Sequence, residues 1–216
     1  HSLPNMLELT NNQREYLGLD LIEPDWERVA LKAGPYQPES VLYFEGDLLK
    51  KQIVSNQHRY YEWPVNIQTR ARSIILPKTS KGKEKKLTAA TLEKYKPDGV
   101  SFQWSIPGFV SITNHNTQIN YYSNLQEGFR INNLDELAAW LENYIKSSPD
   151  HYLDELLAFK HAKRQNIKYK AGDFFAFKVS RTEYGFGRIL LDVHKLRKKK
   201  LISEHHGLQL IMGPSL

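Results

Sequence analysis

Histidine is the residue type here most often used for chemistry, and the chain has eight. Their spacing speaks against a metal site. His205 and His206 are adjacent, so they cannot share a helix face as an i, i+4 pair does. Glu204 is near them, but no second cluster supplies the three or four convergent ligands that zinc requires. The pair reads as surface loop, and His115, between Asn114 and Asn116, reads as a turn residue. With no cysteine in the chain, disulfides, thiolate metal sites and cysteine nucleophiles are excluded. No metal is expected.

Phosphate cradles and nucleophile elbows are missing as well. Gly185-Phe-Gly187 begins like a dinucleotide fingerprint, but Leu190 takes the third glycine position and no helix start follows. Gly82-Lys83 lacks the Ser or Thr of a Walker loop, and no Gly-x-Ser-x-Gly occurs. The acid pairs Glu45 with Asp47 and Asp135 with Glu136 suit a turn and a helix N-terminus. No constellation supplies a nucleophile together with its base, so neither catalytic residues nor a cofactor are expected.

Charge is more informative. From Lys160 onward there are 13 Lys or Arg against four acids, whereas residues 1–159 hold 17 basic and 20 acidic side chains. Such asymmetry creates a field that steers acidic proteins or nucleic acid toward the C-terminal part. Basic groups there interleave with Tyr169, Phe174, Phe175, Phe177, Tyr184 and Phe186, as on surfaces that stack bases and hold phosphates. Lys78, Lys81 and Lys83, in a lysine-rich loop around Gly82, and Arg197, Lys198 and Lys199 are the candidate partner contacts. Arg188 is expected to reach the Asp173 carboxylate across a hairpin.

That hairpin spans Lys170 to Leu190. Alternation puts Phe175, Phe177 and Val179 on one face and Phe174, Ala176 and Lys178 on the other. Gly185 and Gly187 share a face, leaving the second strand bare so that a large aromatic or another backbone can approach. The run Lys168-Tyr-Lys-Ala-Gly-Asp-Phe-Phe-Ala-Phe177, followed by Tyr184-Gly-Phe-Gly-Arg-Ile-Leu190, resembles the immunity protein 26 family of bacterial polymorphic toxin systems. Ile75-Leu-Pro-Lys-Thr-Ser-Lys-Gly-Lys83, Lys86-Leu-Thr-Ala-Ala-Thr91 and Leu210-Ile-Met-Gly-Pro-Ser-Leu216 extend the resemblance. It implies a non-enzymatic protein that binds and neutralises a cognate toxin. Gly172, Asp173, Phe174, Gly185, Gly187 and Arg188 hold the motif positions and are expected to define the fold before the function. Family members continue with a further strand, so the chain reads as a shortened version.

Several elements must position these residues. Thr10 caps a short helix closed by Gly18, and Val41–Phe44 with Leu48–Val54 forms a hairpin about Gly46. Arg59–Val65 and Arg72–Leu76 are strands, with Pro64 favouring an edge or strand end. The lysine-rich segment from Lys78 to Lys86 reads as a mobile, solvated loop and Thr88–Tyr95 as a short helix. A meander then runs through Val100–Ile106, Phe109–Thr113 and Gln118–Tyr122. Asn133 caps a helix with Leu134, Leu137, Ala138, Leu141 and Ile145 on one side. A second helix from Ser148-Pro149 to about Arg164 lines up Leu153, Leu156, Leu157 and Lys160. A last apolar strand is expected at Leu208–Met212.

The expected class is α+β: an antiparallel sheet, then a helical pair, then a small curved sheet or partial barrel. The expected division is an N-terminal domain over 7–148 and a C-terminal helix-plus-hairpin unit over 149–216. Met6 reads as the natural start, and no apolar run reaches the roughly 18 residues of a membrane span. Without a signal peptide the cytoplasm is the default location. The functional expectation is toxin neutralisation by occlusion. The alternative is nucleic-acid binding through the basic aromatic C-terminal region.

Overall fold

A computed structural model of the chain describes residues 6–76, 78–191 and 198. The fold is α+β, in two compact units, one ending at Arg164 and one beginning at Gln165. In the first unit, strands β1 (Glu27–Leu31), β2 (Ser40–Glu45), β3 (Leu48–Asn56) and β4 (Arg59–Arg70) precede β5 (Ile74–Ile75) and β6 (Lys85–Lys86). A meander of β7 (Val100–Ser105), β8 (Phe109–Asn114) and β9 (Ile119–Ser123) follows. All pair antiparallel in the order β1-β2-β3-β4-β7-β8-β9, with β5 and β6 branching from β4. Gly46, at φ +60°, makes the tight β2–β3 turn that the sequence requires.

Helix α1 (Asn11–Tyr16) starts with a reciprocal cap between Thr10 and Gln13, and α2 (Ala89–Leu92) starts with one between Thr88 and Thr91. Asn133 caps α3 (Leu134–Lys146) through the Glu136 N–H, and α4 (Tyr152–His161) follows. The expected helix at Thr88–Tyr95 is a single turn. In α4, Tyr152 and Leu156 are buried, whereas Leu157 is 55% exposed, so the inward stripe is narrower than the leucines imply. Because Tyr152 and Leu156 enter the first unit's core, α4 belongs to that unit, and the division falls after Arg164 rather than at 148/149.

Two apolar clusters flank the sheet. Val41, Tyr43, Ile53, Tyr60, Phe102, Trp104 and Ile112 pack with Leu17, Leu137, Leu141, Tyr144, Tyr152 and Leu156. Leu42, Phe44, Leu49, Val65 and Ile67 pack with Ile75 and Leu92. Strand β2 therefore contributes alternate residues to both clusters, and its first five residues are all buried.

Pro64 lies inside the twelve-residue β4 and not at its end. Its lack of an N–H is accommodated because β4 pairs with β7 only from Arg59 to Glu62, then pairs with β5 at Thr69 and Arg70. Proline sits where the strand changes partner. The lysine-rich segment is solvent-exposed, as expected, and ends in strand β6. Lys85 and Lys86 pair with Ile75 and Ile74, Thr79 N–H donates to Lys83 O at 3.0 Å, and Gly82 N–H to Thr79 O at 2.8 Å.

The second unit holds β10 (Phe174–Lys178) and β11 (Tyr184–Arg188), an open two-stranded antiparallel sheet among the described residues. This hairpin is the described part of the expected small curved sheet or partial barrel. Leu208–Met212 lies outside the described residues. No helix among the described residues is long and apolar enough to cross a membrane.

Candidate functional site

The hairpin register explains its motif. Phe175 pairs with Gly187 and Phe177 with Gly185, so each ring lies across a glycine on the facing strand. A Cβ at Gly185 would stand 2.6 Å from Phe177 Cζ, and one at Gly187 would stand 2.4 Å from Phe175 Cζ. The two rings are 5.9 Å apart and close this face of the hairpin over its own backbone. Large aromatics do occupy the bare strand, as the glycine spacing predicts.

The opposite face carries Phe174, Ala176 and Lys178 beside Arg188, Phe186 and Tyr184. Phe174 is 77% exposed, Phe186 79% and Tyr184 56%. The Arg188 guanidinium stands 5.4 Å from the Phe174 ring centre, and the Lys178 ammonium 5.8 Å from that of Tyr184. Both separations suit cation–π attraction.

Arg188 does not take the Asp173 carboxylate. Its Nε donates to the Gly172 carbonyl at 3.2 Å, while Asp173 Oδ2 accepts from the Lys170 N–H at 2.9 Å. Asp173 closes its own entry turn, as a short acidic side chain readily does, and Gly172 adopts φ +100° there. The six motif residues therefore gather in one hairpin. Lys78, Lys81 and Lys83 are exposed in the segment between β5 and β6 of the first unit, and Lys198 is exposed. Arg197, Lys199, His205 and His206 lie outside the described residues. Among the described residues no group of acidic or histidine side chains is arranged to hold a metal ion.

The first unit contains a buried ionic cluster that sequence reasoning missed. Glu62, the fourth residue of β4, accepts through Oε1 from Arg14 Nε at 2.7 Å and Lys51 Nζ at 2.6 Å. The Tyr60 hydroxyl donates to Oε2, and the Lys51 ammonium also donates to the Asp20 carbonyl. Arg14 Nη1 donates to the Leu9 carbonyl at 2.5 Å, while its Nη2 is buried with no partner. Burial opposes the Arg14 charge but Glu62 outweighs it, raising the pKa; for Lys51 burial prevails and lowers it. Burial, then Glu62, holds the Tyr60 hydroxyl well above the usual phenol range. Arg14, Lys51 and Glu62 are all enclosed, so the cluster ties α1 to the sheet and presents no face to a ligand.

A β-bulge explains why alternation hid this cluster. Tyr43 pairs with Lys51 but Phe44 with Leu49, leaving Lys50 as the extra residue. Leu49 consequently packs in one cluster while Ile53, four residues on, packs in the other, and Lys51 turns toward Glu62. The available signal was Glu62 itself, an acid two residues after Tyr60 in an aromatic strand.

Ser101 Oγ and His115 Nε2 are 2.7 Å apart. Serine beside histidine is the pairing of a nucleophile with a base. Here Ser101 is buried, and the neighbouring Asp98 carboxylate is taken by Asn66 at 3.2 Å and Asn116 at 3.3 Å. Burial lowers the His115 pKa, disfavouring the charged ring. The His115 N–H also donates to the Gly99 carbonyl, so the pair fastens the β8–β9 turn to β7.

No protein-family model, curated protein or solved structure matches the chain.

Proposed function

We propose that this protein is an immunity protein, which binds a cognate toxin and neutralises it by covering its working surface without chemistry of its own. The resemblance of the Lys168–Leu190 hairpin to the immunity protein 26 family motivates the reading. The observation that carries it is the interlocked Phe175–Gly187 and Phe177–Gly185 pairing, which gives the motif glycines a structural reason. An interlocked hairpin is a rigid element, and rigidity in the binding body lowers the entropic cost of association. Stable occlusion needs roughly 1,200–2,000 Å² of buried area with a few aromatic or arginine anchors.

The basic second unit favours an acidic toxin surface. A nuclease toxin, with its basic substrate groove, would instead be met away from that groove or through the first unit. Co-expression with the product of the adjacent open reading frame, followed by single-tag purification and a growth assay, tests the reading. A stable pair and rescued growth are expected. An intact, toxic neighbour that neither co-purifies nor is neutralised would overturn it.

A further inference from the structure

Residues 165–216 hold ten Lys or Arg against four acids, and residues 1–164 hold twenty of each. The chain's formal net charge of +6 therefore resides entirely in the second unit. In that unit one face of the hairpin carries three large rings, each more than half exposed, on the same side as Lys178 and Arg188. On the other face Phe175 and Phe177, 44% and 37% exposed, lie over the glycines of the facing strand. Exposing three rings is costly, since each aromatic gains by leaving water, and their own packing does not require it.

The geometry points to this Phe174–Tyr184–Phe186 face as a platform for single-stranded nucleic acid, a role that stands apart from toxin binding. Phe174 pairs with Arg188 and Phe186 with Ala176, so the two rings are diagonal neighbours on one face. Diagonal neighbours in an antiparallel pair lie about 7–8 Å apart, a separation that lets two unstacked bases each take a ring. The cations beside Phe174 and Tyr184 then face the phosphates. A nucleotide offers a flat π surface and an anion in every repeat. An acidic protein segment would satisfy the cations but leave the rings without matching faces. Ring stacking tolerates any base, so the platform reads little sequence.

The test is fluorescence anisotropy of the full chain with labelled oligothymidylate and oligouridylate over a salt series. Heparin and polyglutamate serve as base-free polyanions. Binding to both oligonucleotides that weakens as salt rises is expected. The double substitution F174A/F186A should weaken it about tenfold or more, given roughly 1–3 kcal/mol per stacked base. F174Y/F186Y, which keeps the π faces, should retain it, and so guards against a merely unfolded hairpin. Lys178→Gln should reduce the slope of log affinity against log salt by about one. Absence of oligonucleotide binding at low salt would overturn the proposal. So would binding untouched by F174A/F186A, or polyglutamate binding that depends on the same rings, which would assign the face to an acidic protein.

Discussion

Arg14 and Glu62 are 48 residues apart in the chain and 2.7 Å apart in the fold, both buried. One carboxylate thereby pairs with two enclosed basic groups, Arg14 and Lys51, and joins the first helix to the middle strand. Removing one partner from such a group leaves charge stranded in a low dielectric. Glu62→Gln is expected to cost about 3–5 kcal/mol by that argument. The triple replacement R14M/K51M/E62L should cost far less than the three single changes summed. Urea unfolding of the native chain, Glu62→Gln, the three single variants and the triple measures both, and a Glu62→Gln midpoint equal to that of the native chain would contradict the electrostatic account.

Alkali should unfold the first unit. Burial is the leading cause that raises the hydroxyl pKa of Tyr43, Tyr60, Tyr61 and Tyr122. A folded pKa above the unfolded value of 10.0 gives stability that is complete below that pH and is lost as pH rises beyond it. Lys51 acts in the opposite sense, because its lowered folded pKa makes stability increase as pH climbs toward 10.5. Four tyrosines outweigh one lysine. Tyrosinate absorbance and circular dichroism, followed together, should change in one step above the ordinary phenol pKa. Smooth tyrosinate titration with no loss of dichroism would refute this.

Two glycines of positive φ should respond differently to alanine. Gly108 has φ +106°, and a Cβ there would stand 2.6 Å from Ile131 N and 2.8 Å from Ile131 O. Ile131 cannot retreat easily, since its N–H donates to Gly108 O at 3.0 Å and its carbonyl accepts from Trp104 Nε1 at 2.8 Å. Gly46, at φ +60°, faces open space. Gly46→Ala is expected to cost about 1–2 kcal/mol from backbone conformation alone. Gly108→Ala should cost about 2 kcal/mol more through overpacking against backbone. Thermal midpoints of the two variants decide the matter, and equal losses would sink the contact argument.

Gly187→Ala should loosen the hairpin by about 1–3 kcal/mol, because its methyl collides with the Phe175 ring. The pair F175A/G187A should recover part of that loss. Hydrogen exchange of the β10 and β11 amides is the readout, and unchanged protection in Gly187→Ala would show that ring and glycine do not interlock.

Local chemistry made much of this legible. Thr10 and Asn133 cap helices where a polar side chain precedes an apolar period, Gly46 turns β2 into β3, and the Gly185-x-Gly187 spacing foretold ring-over-glycine packing. What escaped depends on long-range arrangement. Counting by twos from Leu49 puts Lys51 and Ile53 with it, but the extra Lys50 reverses the faces midway. Arg14 and Glu62 look like surface charges until the fold brings them together. Leu157 looks inward by period and is exposed because α4 buries only a narrow strip. Arg188 faces Asp173 across the hairpin by sequence, yet Asp173 closes its own turn and Arg188 reaches the Gly172 carbonyl.

Strand β4 has a consequence for how the first unit comes apart. It delivers Tyr60 to one apolar cluster and Val65 and Ile67 to the other, through a continuous twelve-residue backbone. Neither cluster can lose its share of the strand without straining the pairing that holds the other. Despite two separate interiors, the first unit should melt as one cooperative body, with the β4 amides the last to exchange with solvent.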